Sequence, residues 1–333
     1  MRLDDKTILV TGGTGSFGHC FTEYVLEHYN PKKLIIYSRD EYKQFVMSNE
    51  RVYKEHADQM RYFIGDVRDG ARMERAMEGV DYVIHAAALK QVPACEYNPD
   101  EAIKTNVNGA QNVINAALNT GVKRVVALST DKAVNPVNLY GATKMVSDKL
   151  FIAANAYAGN KDINFSIVRY GNVAGSRGSI IPLFKNLIER GEKELPITDY
   201  RMTRFWISLP EGVELVLKAL DEAKGGETFI SKIPSFKVTD LAEAMCPGIS
   251  TREIGIRPGE KLDEIMVTVE DAPFTYEFDK HFIVYPQVTF NDKQVPDPRG
   301  KKVPDGFSYS SGNNTEWMSV TDIRNRLGEA VDH

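Results

Sequence analysis

Between Ser129 and Lys144 the chain reads STDKAVNPVNLYGATK, and five of these side chains can move protons or hold charge. Tyr140 stands four residues before Lys144, the spacing that stacks two side chains on one face of a helix. A phenol with its ordinary pKa near 10 is a poor base at neutral pH. A neighbouring ammonium and a positively charged nicotinamide both favour the phenolate. Tyr140 would then take a hydroxyl proton while hydride leaves the same carbon. Lys144 would also hold the nicotinamide ribose, and Thr130 would hydrogen-bond the substrate hydroxyl. That set oxidises an alcohol and leaves Asp131 and Lys132 surplus. An acid and a base beside a new ketone suit elimination, because the neighbouring C–H is acidic. A neutral Lys132 could take that proton, and a protonated Asp131 could give one to a departing β-hydroxyl. Each needs a pKa moved toward neutrality, which a closed site supplies. The alternative for the pair is a surface salt bridge of little energetic weight.

Such groups need a scaffold, and the first half of the chain supplies its pattern. Short apolar runs (KTILVTGG from Lys6, KLIIYSRD from Lys33, MRYFIGDVRD from Met60, VDYVIHAAA from Val80, VKRVVALST from Val122, NFSIVRYGNVAG from Asn164) alternate with helical stretches. One of those helices is expected from Ala102 to Gly121 and another from Tyr140 onward. Strands separated by helices predict parallel βαβ units with right-handed crossovers. Runs without polar alternation predict a sheet covered on both faces. The expected class is α/β, a doubly wound parallel sheet (Rossmann fold) over 1–174. A smaller substrate-binding region over 175–280 follows, which could exchange strands or helices with the first. An extension over 281–333, rich in Pro, Gly, Ser and Asn, would be a docked segment, a lid or a subunit contact.

TGGTGSFG joins the first strand to the first helix, with glycines at Gly12, Gly15 and Gly18. Glycines permit the tight turn and let backbone N–H groups approach a diphosphate at the helix N-terminus. Thr14, Ser16 and Phe17 lie between them and belong to the same candidate site. After the second strand come Ser38, Arg39 and Asp40, with Lys43 close behind. A guanidinium there can neutralise a 2′-phosphate, so Arg39 favours NADP, whereas Asp40 keeps NAD open. Asp66 and Val67 would face an adenine, and the small Ala86, Ala87 and Ala88 would let the cofactor pass. Lys90 just beyond is either a substrate contact or surface charge. Arg204, beside Thr203, and Arg257 are candidate clamps for a diphosphate, or ties within the smaller region.

The 333 residues carry 41 Lys and Arg against 46 Asp and Glu, a net charge of −5 that gives no nucleic-acid footprint. Three scattered cysteines make no disulfide framework, which suits a reducing cytoplasm. No signal peptide, membrane span or metal-ligand spacing is read.

TGGTGSFG, YSRDE, FIGDVRD, HAAALKQVPACEYNP, KTNVNGAQNVINAA, STDKAVNPVNLYGATK, RYGNVAGSRGSIIPLF, ITDYRMTRFWI and GIRPGEKLDE together cover nearly the whole chain. In these the chain resembles the extended short-chain dehydrogenase/reductases, and among them the soluble, inverting UDP-N-acetylglucosamine 4,6-dehydratases. The resemblance implies NADP, regenerated each turnover, and UDP-N-acetylglucosamine as substrate. Tyr140, with Lys144 and Thr130, would oxidise C4. Lys132 would take the C5 proton, Asp131 would protonate the leaving C6 hydroxyl, and hydride would return to C6. Reprotonation of C5 from the opposite face would give UDP-2-acetamido-2,6-dideoxy-β-L-arabino-hexos-4-ulose, the first intermediate toward pseudaminic acid. The family pattern adds Asn172, Arg177 and Glu260 to the substrate contacts and is compatible with a homo-oligomer, dimeric or hexameric. Non-inverting relatives read Thr-Asp-Glu where this chain has Thr130-Asp131-Lys132. Capsule enzymes of the staphylococcal type replace the tyrosine with methionine, and the retaining relatives carry a membrane region. Two other readings stay open: a nucleotide-sugar 4-epimerase, which has no need of Asp131 or Lys132, and a non-catalytic NADP-binding protein of the same fold.

Overall fold

The structure, a computed structural model, describes residues 3–173, 180–288, 297 and 299–329. In chain order the first stretch holds β1 (Thr7–Thr11), α1 (Ser16–His28), β2 (Lys33–Ser38), α2 (Glu41–Asn49), α3 (Arg51–Glu55), β3 (Met60–Ile64) and α4 (Gly70–Met77). Then come β4 (Tyr82–His85), α5 (Val92–Tyr97), α6 (Pro99–Ile103), α7 (Gly109–Thr120), β5 (Arg124–Thr130), α8 (Leu139–Tyr157) and β6 (Asn164–Tyr170). The second stretch holds α9 (Ile180–Glu189), β7 (Glu194–Ile197), β8 (Thr203–Phe205), α10 (Leu209–Glu222), β9 (Thr228–Ser231), β10 (Ser235–Lys237) and α11 (Val238–Met245). It ends with β11 (Ser250–Glu253), β12 (Ile265–Val267), β13 (Thr275–Glu277), β14 (His281–Val284), β15 (Lys301–Lys302), β16 (Tyr309–Ser310) and α12 (Val320–Glu329).

A ten-stranded sheet runs β15-β13-β14-β9-β6-β5-β4-β1-β2-β3. From β3 to β9 every pairing is parallel, with Leu9 of β1 opposite both Ile35 of β2 and Val83 of β4. β14, β13 and β15 continue the sheet antiparallel. The parallel strands are apolar on both faces because both faces are covered. One face carries α1 and α10, packing Phe21, Val25, Val213 and Val216 over Ile8, Val10 and Ile36. The other carries α4, α7 and α8, with Met73, Val113, Ile114 and Phe151 over Leu9, Val83 and Val125. A separate small core gathers Phe184, Leu195, Trp206, Phe236, Leu241 and Ile323 from α9, β7, the exit of β8, β10, α11 and α12. Its strands pair as β7 with β11 and β8 with β10.

The C-terminal stretch is divided between these bodies. HFIVYPQ supplies β14 to the main sheet, whereas α12 packs in the small core and β16 pairs with β12. The continuous helix expected from Ala102 to Gly121 is interrupted by a π-helical turn over Lys104–Asn108. No helix of the described residues is long and apolar enough to cross a membrane.

The glycine turn shows how closely the first layer is packed. Gly12 has φ +66, which favours glycine, and a Cβ there would lie 3.0 Å from the Ala87 backbone. Gly18 faces Gly13, and a Cβ on it would run into the Gly13 backbone. Gly18 therefore sets how near α1 comes to β1, the packing role of the last glycine in such turns. Replacing Gly18 with Ala should cost about 1–3 kcal/mol of stability through overpacking. Thermal denaturation would read this as a fall of several degrees, and an unchanged midpoint would contradict the close approach.

Candidate active site

A cavity of about 1430 Å³ opens along the carboxyl ends of the parallel strands and reaches under the small core. In a doubly wound sheet this is where ligands collect. One end is walled by Gly12, Thr14, Gly15, Ser16, Phe17, Ser38, Arg39, Asp40, Lys43, Asp66, Val67 and Ala86–Ala88. Thr11 Oγ1 accepts from the amides of Ala86 and Ala87, each at 3.2 Å, and lies 2.8 Å from His85 Nδ1. These bonds press the small-residue segment against the glycine turn and leave a backbone-lined channel. Its shape fits a dinucleotide, since side chains at Gly12 or Ala87 would fill it. Gly18 lies behind this wall rather than in it.

At the adenosine end Asp40 caps α2 by accepting from Lys43 N at 3.0 Å, and Lys43 Nζ is 3.5 Å from its carboxylate. Arg39 Nη1 is 3.8 Å from Asp66 Oδ2, so a carboxylate already faces the guanidinium expected to take a 2′-phosphate. Asp66 also binds Arg68, whose side-chain and backbone N–H groups hold its carboxyl below the usual range against the opposing effect of burial.

The chemical end begins where β5 turns into a 3-10 helix over Asp131–Ala133. Thr130 Oγ1 donates to Asp131 Oδ1 at 2.8 Å and accepts from Lys132 N at 3.3 Å. Lys132 points into the cavity, with 24% of its side chain exposed, and its ammonium has three partners. Nζ lies 3.2 Å from Asp131 Oδ1, 2.9 Å from Asn172 Oδ1 and 3.3 Å from Glu264 Oε1. Burial alone would depress this ammonium, but Asp131 and Glu264 more than offset it and hold its pKa above the ordinary value. Asp131 is fully buried beneath the lysine, and burial, with Glu264 adding repulsion, raises its carboxyl. Asp131 Oδ2 and Glu264 Oε2 have no hydrogen-bond partner among the described residues.

Asn138 caps α8, accepting from Gly141 N at 2.7 Å, and so delivers Tyr140 and Lys144 to the same wall. Burial pushes the Tyr140 phenol up to about 12, while the Lys132 ammonium and a hydrogen bond with Thr130 pull it down. Among the cations, Lys132 has the largest effect on the phenol in the free protein. Burial lowers the Lys144 ammonium, and Asp148 one turn on partly restores it. Asp148 in turn accepts from Ser129 Oγ at 2.6 Å and faces Arg169 at 3.9 Å.

The candidate substrate residues separate. Lys90, Asn172, Arg257 and Glu260 line the cavity. Arg257 is half exposed, with Glu260 3.9 Å away. Its loop is pinned over the start of α8 by Asn138 Nδ2, which donates to Gly259 O at 2.7 Å, and by Lys261, which donates to Val134 O. Arg204 lines the cavity and is tied inside the protein through part of its guanidinium: Nη1 donates to Thr203 O and Leu262 O, and Nε is 3.7 Å from Glu264. Thr203 turns away, donating to Asp263 at 2.5 Å and bonding Ser311 at 2.7 Å. Arg177 lies outside the described residues.

Two residues of this site were not singled out in the sequence. Glu264 stood in view among the carboxylates of GEKLDE, yet nothing local marks it as Lys132's partner. Asn106 occupies the π-helical turn, a feature that often sits at functional sites. Its amide donates to Leu89 O at 2.9 Å and Thr143 Oγ1 at 3.0 Å, while its oxygen accepts from Leu89 N at 2.8 Å. It thereby ties the exit of β4 to α8.

Comparison with known proteins agrees with this arrangement. The family model described as "Polysaccharide biosynthesis protein" matches residues 8–286. A protein of Campylobacter jejuni subsp. jejuni serotype O:2, named UDP-N-acetylglucosamine 4,6-dehydratase (inverting), is 59% identical over 324 residues, 96% of each chain. The solved structure of Pen from Bacillus thuringiensis superposes with a TM-score of 0.90 at 38% identity, covering 99% of both chains. DesIV, a dTDP-glucose 4,6-dehydratase from Streptomyces venezuelae, shares the fold with a TM-score of 0.66 at 22% identity, over 77% of this chain and 86% of its own. DesIV and its double mutant are solved with NAD bound. This corrects the expectation of NADP. The physical reason lies around Arg39: Asp66, bound chiefly by Arg68, stands 3.8 Å from its guanidinium, and Asp40 beside it is the acidic residue type that binds ribose hydroxyls rather than a phosphate.

Replacing Asn106 with Ala would leave the half-buried N–H of Leu89 without its partner and its C=O with only the Cys95 thiol at 3.7 Å, and cost about 1–3 kcal/mol. Denaturant unfolding checks this, and a loss below about 0.5 kcal/mol, the scale of an ordinary surface change, would show that the clamp is not needed.

Proposed function

The chain belongs to the polysaccharide biosynthesis protein family, and we propose from that premise that it acts as an inverting UDP-N-acetylglucosamine 4,6-dehydratase. It is a lyase working with NAD at the opening of pseudaminic acid biosynthesis. The 59% identity over nearly the full length carries the reaction, and the Asp131–Lys132 contact supports the assignment of its steps. Bound NAD supplies a hydride acceptor for C4 and the donor of that hydride to C6. Gly12, Gly15 and the wall from Ser38 to Asp66 hold it, and Tyr140 and Lys144 lie at its reactive end.

Tyr140 takes the C4 hydroxyl proton. The Lys132 ammonium favours the phenolate this requires, and the Thr130 hydroxyl does so once it turns its one proton from Asp131 to the phenol. The ketone makes the C5 proton acidic, and Lys132 must be neutral to take it, although the resting ammonium is stabilised. Asp131 resolves this. Moving one proton across 3.2 Å from Nζ to the Asp131 carboxylate gives an amine and a carboxylic acid, the base and acid that elimination needs, without exchange with solvent. Burial of Asp131 favours this form, and a sugar that expels water from the cavity favours it further. Lys132 then takes the C5 proton as Asp131 protonates the departing C6 hydroxyl, which leaves the pair again as an ion pair. The protons taken from O4 and C5 equal those given to the leaving water and to the opposite face of C5, where the returning proton inverts the centre. Arg257 is the cation placed to meet the UDP diphosphate, through its exposed fork.

Two outcomes check the reading. In deuterium oxide, UDP-N-acetylglucosamine should give a 4-keto-6-deoxy sugar with C5 inverted and deuterated, seen by NMR; recovery of UDP-N-acetylgalactosamine alone would sink it. Lys132→Ala should keep dinucleotide binding and slow C5 proton exchange about 100-fold or more, the usual scale of a lost general base. Unchanged exchange would remove Lys132 from that role.

A further inference from the structure

Glu264 takes no part in the steps above, yet the fold has built it into the site. It directly precedes β12, is 3% exposed, and reaches Lys132 Nζ at 3.3 Å. Its backbone is fixed from the far end of the chain. Glu264 N donates to Ser311 Oγ at 2.9 Å, and Ser311 N donates to Glu264 O at 2.8 Å. Four charges then alternate: Asp131, Lys132, Glu264 and Arg204, the last 3.7 Å from Glu264 Oε1. A buried carboxylate is costly without such compensation, so its retention here calls for a role.

Lys132 has two carboxylates to which its proton could pass, Asp131 buried beneath it and Glu264 on the cavity wall, and the reaction proposed above assigns the leaving hydroxyl to Asp131. We propose that Glu264 is a positioning residue for the elimination: kept anionic by Arg204, it holds Lys132 beside Asp131 so that the lysine's proton passes to Asp131 and not to itself. The inference rests on the dehydratase reading above. The two carboxylates are unlike. Asp131 has lost solvent, has Lys132 as its ion-pair contact with Lys261 acting from farther off, and burial raises it. Glu264 is also raised by burial, but Lys132, Arg204 and Lys261 outweigh this and hold it below the usual range. When Lys132 becomes neutral, Glu264 keeps Arg204 as partner, so no bare charge is left beside the amine. The other charged or titratable groups acting on Lys132 are Arg204 on β8, Tyr140 on α8 and Lys261 in the loop before β12.

The test compares the intact enzyme with Glu264→Gln and Glu264→Asp. Glu264 raises both the carboxyl of Asp131 and the ammonium of Lys132, so its neutral replacement lowers both. Glu264→Gln is expected to lower kcat about tenfold or more, with KM for UDP-N-acetylglucosamine within about threefold. Both limbs of its kcat–pH profile should move to lower pH by about half a unit or more, because a negative neighbour has gone. Glu264→Asp keeps the charge, so its limbs should stay in place while kcat falls severalfold; this variant carries the test if the glutamine protein does not fold. Unshifted limbs in Glu264→Gln, or wild-type kcat in Glu264→Asp, would overturn the inference. Wild-type enzyme that forms no C5-deuterated 4-keto product would instead overturn the dehydratase reading itself, so the two failures are told apart.

Discussion

The ammonium of Lys132 lies within 3.3 Å of two buried carboxylates, and the rest of the site is arranged around that charge. In a low-dielectric cavity an uncompensated lysine would lose its proton, and an uncompensated aspartate would gain one. Together Asp131 and Lys132 hold one transferable proton between them. Asn172 supplies a neutral acceptor at 2.9 Å, Glu264 a second anion, and Arg204 the counter-charge to Glu264. In the proposed reaction this cluster is what adds elimination to the alcohol oxidation assigned to Thr130, Tyr140 and Lys144.

Each member arrives on a different element. β5 brings Asp131 and Lys132 through a sharp 3-10 turn, α8 brings Tyr140 and Lys144, β6 leads to Asn172, β8 carries Arg204, and the approach to β12 carries Glu264. The last is fixed by Ser311, so residues near the C-terminus help to set charge at the centre of the fold. The parallel sheet gives the dinucleotide end, and the small core closes the cavity over the chemical end.

Much of this was legible because it is local. Buried strands reveal themselves as apolar runs, the glycine turn by its place between strand and helix, and Tyr140 with Lys144 by helical spacing. The remainder depends on long-range contacts. Glu264 meets Lys132 only after the chain has built the second stretch, and Ser311 lies farther still. Arg204 was left open between a phosphate clamp and a tie within the smaller region because residue type cannot show whether a guanidinium faces a ligand or backbone carbonyls. Arg39 misled for a related reason: Asp66, beyond the neighbouring strand, reaches the guanidinium that the local run YSRD presents as available. The break at Lys104–Asn108 was likewise hidden, since Asn106 there answers to Leu89 and Thr143 rather than to its own helix.

The most direct test of the charge cluster is a crystal structure with NAD and UDP-N-acetylglucosamine bound. The account predicts Lys132 Nζ about 3–3.5 Å from C5, the range of a reactive approach, with the Asp131 carboxylate directed at O6 and Tyr140 at O4. A sugar bound with C5 beyond the reach of Lys132, or with O6 turned away from Asp131, would contradict it.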